Sequence, residues 1–106
     1  MKRGDLVTVA LQVDLGKPRP ALVIQSDYFN VHPSVVILPI TSELRDAPLF
    51  WILMNPDAEN GLSKPSQIMV DKPQSVAREK IGSVFGCLDE VTLFAVNQAL
   101  ALFLGL

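Results

Sequence analysis

The chain has 106 residues, the length of a single domain. Apolar residues make up 49% of it and charged residues 19%, a composition that excludes a disordered tail or an extended charged helix. Nine Lys and Arg against eleven Asp and Glu give a formal net charge of −2, which excludes a uniformly basic protein that coats nucleic acid.

The first nine-tenths of the chain predicts short strands separated by turn residues. Residues 5–11 are rich in apolar and β-branched side chains, and the prolines within 16–20 end this pattern. One helical turn is predicted within residues 26–30. Further strands are predicted at 21–24, at 35–38 with an end at Pro39, at 49–54, from 67 to 70 and at 81–87. Gly82 and Gly86 predict a bulge or bend in the last of these strands.

The C-terminal segment predicts a helix. Asp89 and Glu90 are suited to a helix start, and residues 91–104 contain neither Pro nor Gly and are apolar on most sides. A helix this apolar has more than one buried face, which indicates either thorough coverage within the domain or a partner subunit. The predicted fold is mostly β with a C-terminal α-helix, arranged as a small, strongly curved sheet or barrel.

Neither a signal peptide nor a membrane span is predicted. The chain starts MKRGD, so an aspartate stands where a signal peptide has its apolar run. No segment approaches the roughly 18 to 20 continuous apolar residues of a membrane span. We therefore expect a soluble, cytoplasmic domain.

The charges are unevenly distributed. Residues 1–19 and 64–80 each carry a balance of +2, whereas residues 20–63 carry −4 and residues 81–106 carry −2. Two basic segments that meet in space form a positive patch on an acidic protein. The charge counts by themselves favour the alternative, a surface of balanced ion pairs.

The signatures of several common catalytic and metal sites are missing. The sequence contains no GxxxxGK[ST] phosphate loop, no GxGxxG, no GxSxG and no HExxH. One Cys excludes an internal disulfide, and one Cys with one His cannot form a four-ligand zinc site. We interpret His32 as a surface histidine and Cys87 as an apolar filler of the core. We expect neither a metal nor a cofactor.

An arginine between two prolines is the strongest candidate for chemistry. Pro18 and Pro20 restrict the backbone around Arg19 at the entrance to a strand, and a stiffly held guanidinium favours bidentate contact with a phosphate. Thr41 and Ser42 follow the third predicted strand, where hydroxyls can donate hydrogen bonds to a phosphoryl group. The residues alone leave two alternatives open: an exposed arginine on a stiff turn, and hydroxyls that cap a turn.

Five segments, in this order, resemble the MazF/PemK family of bacterial toxins. The ordered combination of GD, RPALVI and PITS is fairly specific, whereas each segment alone is weak. The segments are Arg3-Gly4-Asp5-Leu6, Arg19-Pro20-Ala21-Leu22-Val23-Ile24, Leu38-Pro39-Ile40-Thr41-Ser42, Asn60-Gly61-Leu62 and Val70-Asp71-Lys72, followed by a terminal helix.

The resemblance implies a twisted SH3-like β-barrel, a homodimer and metal-independent, sequence-selective cleavage of single-stranded RNA. It also implies that Arg19 and Thr41 are the catalytic pair. The resemblance implies that the acidic residue acting with them is Asp14, in the loop before the arginine, or Asp71. We expect the RNA to contact Lys17, Ser42, Gln67 and Asp71.

The resemblance further implies a cognate antitoxin whose disordered acidic tail folds onto the toxin and competes with RNA. Two alternatives remain open. The related CcdB toxins share the fold and poison DNA gyrase through the end of the terminal helix, and residues 102–106 resemble that ending except that Leu104 replaces an aromatic residue. The other alternative is a catalytically inactive relative that binds the antitoxin.

Overall fold

Seven strands form one antiparallel sheet in the computed structural model, which describes residues 1–11, 16–47 and 49–106. The sheet has the order β4-β5-β3-β2-β1-β7, and β6 pairs with β3 outside this path. The elements are β1 (Asp5–Ala10), β2 (Pro18–Val23), β3 (Ser34–Thr41), β4 (Trp51–Met54), β5 (Ser66–Met69), β6 (Gln74–Ala77), β7 (Ile81–Cys87), the helix α1 (Glu90–Leu104) and the 3-10 turns Asp27–Phe29 and Arg78–Lys80. The prediction of a mostly β fold with a C-terminal helix is confirmed. Among the described strands the end strands β4 and β7 do not pair, so a closed barrel is not confirmed.

Two strands contain prolines, and the limits of these strands differ from the predicted ones. β2 begins at Pro18, because Pro18 and Pro20 pair with β1. The pairing of β2 with β3 starts only at Ala21, so no strand lies beside Pro18 and Pro20 on that edge. A proline has no backbone N–H to donate, and no neighbouring strand requires one there. The predicted end of the third strand at Pro39 is wrong, since β3 continues to Thr41. Pro39 is tolerated because β3 changes its partner there from β6 to β5.

The strand β6 was not predicted. Its four residues, Gln-Ser-Val-Ala, contain too short an apolar pattern to indicate a strand. β6 is defined by its pairing with residues 34–37 of β3, a contact between segments that lie far apart in the sequence. The predicted irregularity of β7 is confirmed, because the β1–β7 register shifts on both sides of Val7.

Apolar side chains on both faces of the central strands form two clusters. Neighbouring residues of a strand point to opposite faces, so a strand buried on both faces is a continuous apolar run. The first cluster contains Leu6, Leu22, Leu38, Ile40, Met54, Ile68, Val70, Val96 and Leu100, and the second contains Val7, Val9, Ala21, Val23, Val35 and Ile37. The helix α1 packs on the first cluster through Val96 and Leu100. The two clusters hold the ends of β2 and β3 in place.

The helix α1 has a defined cap at each end. The carboxylate of Asp89 accepts hydrogen bonds from the backbone N–H and the hydroxyl of Thr92, at 3.1 and 2.6 Å. Gly105 ends the helix in the left-handed conformation, with φ at 74°. Most of the remaining apolar surface of α1 is exposed, including Phe94 and Leu102. Within the described part of the chain, no helix has both the length and the apolarity needed to span a membrane.

The Asp89 cap makes stability depend on pH. The hydroxyl and the backbone N–H of Thr92 lower the pKa of the Asp89 carboxyl below its ordinary value. A carboxyl with a lowered folded-state pKa stabilises the fold above its unfolded-state pKa of about 3.9, and this contribution disappears as the pH falls through the folded-state pKa. We expect Asp89→Asn to reduce the loss of thermal stability in this acidic range, because Asn caps a helix without titrating.

Thermal melts of the wild-type protein and the variant, from neutral to strongly acidic pH, measure this difference. Asp46→Asn removes another exposed carboxylate and serves as the control. If Asp89→Asn and Asp46→Asn change the pH dependence of the melting temperature equally, the cap is not its source.

Candidate active site

A cavity of about 540 Å³ lies where β2 begins and β3 ends. We call it the Arg19 cavity. Its third wall is the segment that joins the Asn60–Gly61 turn to β5. The described lining contains two cations, one carboxylate, four hydroxyls and three apolar residues: Arg19, Lys64, Glu43, Thr41, Ser42, Ser63, Ser66, Pro20, Ile40 and Leu62. Cations and hydroxyl donors in one cavity suit a phosphate-bearing ligand.

The β2–β3 register explains how Arg19 and Thr41 reach the same cavity. Ala21 lies opposite Pro39 in this antiparallel pair. Two residues further toward the strand ends, the same register aligns Arg19 with Thr41. The ladder itself stops at Ala21, and the cavity opens beyond this point. The structure therefore brings the two residues predicted as a catalytic pair to one site.

The hydroxyl of Thr41 is held by its own loop. Its Oγ1 accepts a hydrogen bond of 3.1 Å from the backbone N–H of Glu43. This is a local turn of the kind that Thr forms with the residue two positions later. A hydroxyl that accepts such a bond still has its own hydrogen to donate. Thr41 can thus donate to an oxygen atom of a bound phosphate.

The other predicted site residues are divided between the Arg19 cavity and its surroundings. Ser42 lines the cavity, directly after Thr41. Lys17 is exposed just before β2 and does not belong to the lining. Asp14 lies outside the described residues.

Gln67 has a structural role in the described chain. Its side chain is buried, and it lies opposite Thr41 in the β3–β5 pair. Its Oε1 accepts from the backbone N–H of Arg45 at 2.7 Å, and its Nε2 donates to the carbonyl of Arg45 at 2.8 Å. Both ends of the amide therefore anchor the loop after β3 to strand β5.

Asp71 lies outside the lining of the Arg19 cavity. Its Oδ1 accepts a hydrogen bond of 3.0 Å from Trp51 Nε1, and its Oδ2 lies 3.9 Å from Lys72 Nζ. The guanidinium of Arg45 lies 5.6 Å from the centre of the Trp51 ring, a cation–π distance. Trp51, Arg45 and Gln67 line a second cavity of about 310 Å³. The structure does not place Asp71 together with Arg19 and Thr41.

Four polar residues of the cavity were not assigned from the sequence: Glu43, Ser63, Lys64 and Ser66. Glu43 adjoins the predicted hydroxyl pair, so its position two residues after Thr41 was an available signal. Ser63 and Lys64 lie about twenty residues further along the chain. They reach the cavity because β5 pairs with β3, and no local pattern indicates this pairing.

Asn60 and Gly61 fix the segment that carries Ser63 and Lys64. The Asn60 side chain is 4% exposed. It accepts from the backbone N–H groups of Asp57 and Leu62 and donates to the carbonyl of Asn55. Gly61 has a φ of +64°, and a Cβ atom there would overlap the carbonyl oxygen of Phe85 in β7. The third wall of the cavity is thus tied to β7.

We expect Gly61→Ala to lower the free energy of unfolding by about 2 kcal/mol or more. Alanine is disfavoured at this positive φ, and its methyl group would overlap the Phe85 carbonyl. Gly105→Ala is the matched control, because Gly105 has a similar φ but no atom within 4 Å of an added Cβ. Denaturant unfolding compares the two variants. If both variants lose the same free energy of unfolding, the overlap with β7 contributes nothing to the effect of Gly61→Ala.

His32 and Cys87, for which no catalytic role was predicted, lie away from the Arg19 cavity. His32 Nδ1 accepts a hydrogen bond of 3.0 Å from the backbone N–H of Ser34. Cys87 is exposed, so its predicted place in the core is wrong. Over the ranges 1–11, 16–47 and 49–106, no group of three or more His, Cys, Asp or Glu side chains is arranged to hold a metal ion.

The match to a protein family extends over nearly the whole chain. Residues 2–104 match the PemK-like, MazF-like toxins of type II toxin–antitoxin systems. The chain belongs to this family. The resemblance inferred from the five sequence segments is confirmed.

Similar proteins agree with membership of the PemK/MazF family. A protein named probable endoribonuclease MazF from Mycolicibacterium smegmatis is 40% identical over 107 residues, covering 100% of this chain and 98% of that protein. A mycobacterial endoribonuclease solved in complex with its cognate antitoxin has a TM-score of 0.82 and 25% identity, covering 100% of this chain and 96% of that one. A second mycobacterial endoribonuclease structure has a TM-score of 0.78 and 26% identity, covering 100% and 92%.

Proposed function

We propose that this PemK/MazF family member is the toxin of a type II toxin–antitoxin pair, and that it cleaves single-stranded RNA at selected sequences. The main support for this proposal is the cavity that Arg19 and Thr41 share, because it combines a guanidinium with a hydroxyl donor. The 40% identity to a protein named as an endoribonuclease supports the activity. Unstacked bases are accessible only in single strands, which favours these over duplex RNA.

The reaction is an attack of the substrate's own 2′-OH on the adjacent phosphate. The new O2′–P bond forms as the P–O5′ bond breaks, which leaves a 2′,3′-cyclic phosphate and a 5′-OH end. Arg19 neutralises the charge that develops on the phosphoryl oxygens, and Thr41 donates a hydrogen bond to a non-bridging oxygen. Because the nucleophile belongs to the substrate, the reaction needs neither an external water molecule nor a metal ion.

The RNA follows the polar surface from the Arg19 cavity toward the second cavity. Ser42 lies in the first, and Gln67 lines the second while lying opposite Thr41. Lys17 and Lys64 contribute positive charge near the path, and Asp71 lies beside Trp51. Attraction between these cations and the phosphates makes binding sensitive to salt.

The proposed assembly is a homodimer that binds a cognate antitoxin. The helix α1 leaves several large apolar side chains exposed, among them Phe94 and Leu102, which supports a subunit contact. The structure of a relative with its antitoxin supports the second partner. An acidic antitoxin tail would compete with RNA for Arg19 and Lys64.

The remaining proposals concern architecture and location. We place the whole of residues 1–106 in one toxin domain, supported by the family match over 2–104. We propose that the sheet belongs to the SH3-like barrel class, as the family resemblance implies; its seven antiparallel strands followed by a helix support this class. The protein acts in the cytoplasm, where its RNA substrate is found.

The test is to incubate the purified protein with RNA of mixed sequence in EDTA and to map the product ends. We expect cleavage at a restricted set of sites, with 2′,3′-cyclic phosphate and 5′-OH ends. Intact RNA, or products with 5′-phosphate ends, would contradict the proposal.

A further inference from the structure

Glu43 is the one acidic residue that lines the Arg19 cavity within the described part of the chain. We propose that Glu43 is the general base of the cleavage reaction, an inference that rests on the proposed ribonuclease function. As the 2′-oxygen attacks phosphorus, its proton has to leave. A carboxylate in the same cavity as the phosphate-binding groups is in place to accept it.

The carboxylate of Asp71 is engaged elsewhere. It accepts from Trp51 Nε1 and lies close to Lys72 Nζ, outside the lining of the Arg19 cavity. Glu43, by contrast, lies two residues after Thr41, the group assigned to a non-bridging oxygen. A base for the 2′-OH has to work close to this oxygen, because both belong to the reacting phosphodiester and its ribose.

The loop that carries Glu43 is anchored on both sides. The Glu43 backbone N–H donates to Thr41 Oγ1 at 3.1 Å, and Gln67 binds both backbone groups of Arg45. Residues 42–45 are therefore tied to the end of β3 and to β5. A base held on an anchored loop loses little conformational freedom when substrate binds.

The Glu43 carboxylate is available to the substrate. It is exposed, and it forms no hydrogen bond or ion pair with another described residue. The charged groups that share the lining with it are Arg19 of β2 and Lys64 of the segment before β5. A negative charge here repels the RNA phosphates, so it opposes binding. A role in the chemical step accounts for a negative charge that opposes RNA binding.

The proposed step is balanced without a co-reactant. The carboxylate of Glu43 takes the 2′-OH proton, the O2′–P bond forms and the P–O5′ bond breaks. The departing 5′-oxygen takes a proton from solvent. Glu43 then returns its proton to solvent, and the products are the cyclic phosphate and the 5′-OH end.

Glu43→Gln tests the proposal, because it keeps the backbone N–H and the size of the side chain while removing the base. We expect its single-turnover cleavage rate to fall about 10²-fold or more. We also expect the cleavage rate of the wild type to rise with pH and that of the variant to show no such rise. Affinity for an RNA with a 2′-deoxy nucleotide at the cleavage site should be unchanged or tighter, since a repulsive charge is removed.

Glu79→Gln is the matched control, since it removes an exposed carboxylate from the 3-10 turn before β7 and should cleave like the wild type. A Glu43→Gln rate within about threefold of the wild type overturns the proposal. So does a slower variant that keeps the wild-type pH profile, or a flat profile in Asp14→Asn but not in Glu43→Gln. If the wild type itself does not cleave RNA, the proposed function fails instead.

Discussion

Replacing Arg19 with alanine is expected to lower the rate of RNA cleavage about 10³-fold, the effect of removing a preorganised group that stabilises transition-state charge. Arg19 lies in β2 on the lining of the cavity, where the register aligns it with Thr41. Lysine keeps the charge but lacks the planar pair of donors, so Arg19→Lys should recover only part of the rate. Single-turnover kinetics on a defined RNA measure both effects.

Lys80→Ala is the control for Arg19→Ala, since it removes an exposed cation that does not line the Arg19 cavity. Circular dichroism of each variant checks that the fold is retained. A rate for Arg19→Ala within about tenfold of the wild type would contradict the assigned role. In cells, growth arrest that survives Arg19→Ala but disappears on deletion of Leu104–Leu106 would favour the gyrase alternative.

Leu38→Ala is expected to lower the free energy of unfolding by about 2 to 5 kcal/mol. Leu38 is 0% exposed in the centre of β3, where it pairs with Leu22 and packs in the first apolar cluster. The substitution removes buried apolar atoms and leaves a cavity that the surrounding strands cannot fill. Since a domain of this size is stable by about 5 to 15 kcal/mol, the loss is a large share of the total.

Leu44→Ala is the control, because the same change at a side chain that is 52% exposed should alter stability by less than about 1 kcal/mol. Equilibrium unfolding in urea gives both values. If the two variants lose the same amount of stability, the first apolar cluster is not the main core of the sheet.

The binding of RNA and of the antitoxin's acidic tail would depend on the same charges. Arg19 and Lys64 line one cavity, so a ligand with closely spaced negative groups can contact both. This gives a simple means of control, since the antitoxin does not have to change the structure of the toxin to block it. Raising the salt concentration should weaken both complexes.

The sequence by itself determined the class of fold and the helix α1 with its caps, and the family resemblance in it led to the prediction that Arg19 and Thr41 act as a pair. Short apolar runs bounded by turn residues indicate buried strands, and Asp89 and Gly105 are local signals that act within a few residues. The prolines beside Arg19 did not break the strand as predicted, because residues 18–20 pair with β1 and have no partner strand on their other edge.

Only the tertiary structure decided which polar residues meet. Pairing of β5 with β3 brings Lys64 into the cavity of Thr41 and anchors Gln67 to Arg45, whereas pairing of β5 with β4 places Asp71 beside Trp51. Contacts between distant segments depend on strand register and on the path of the chain between them, and neither is encoded in a short pattern. A carboxylate such as Glu43 therefore becomes a candidate base only when the strands around it are in place.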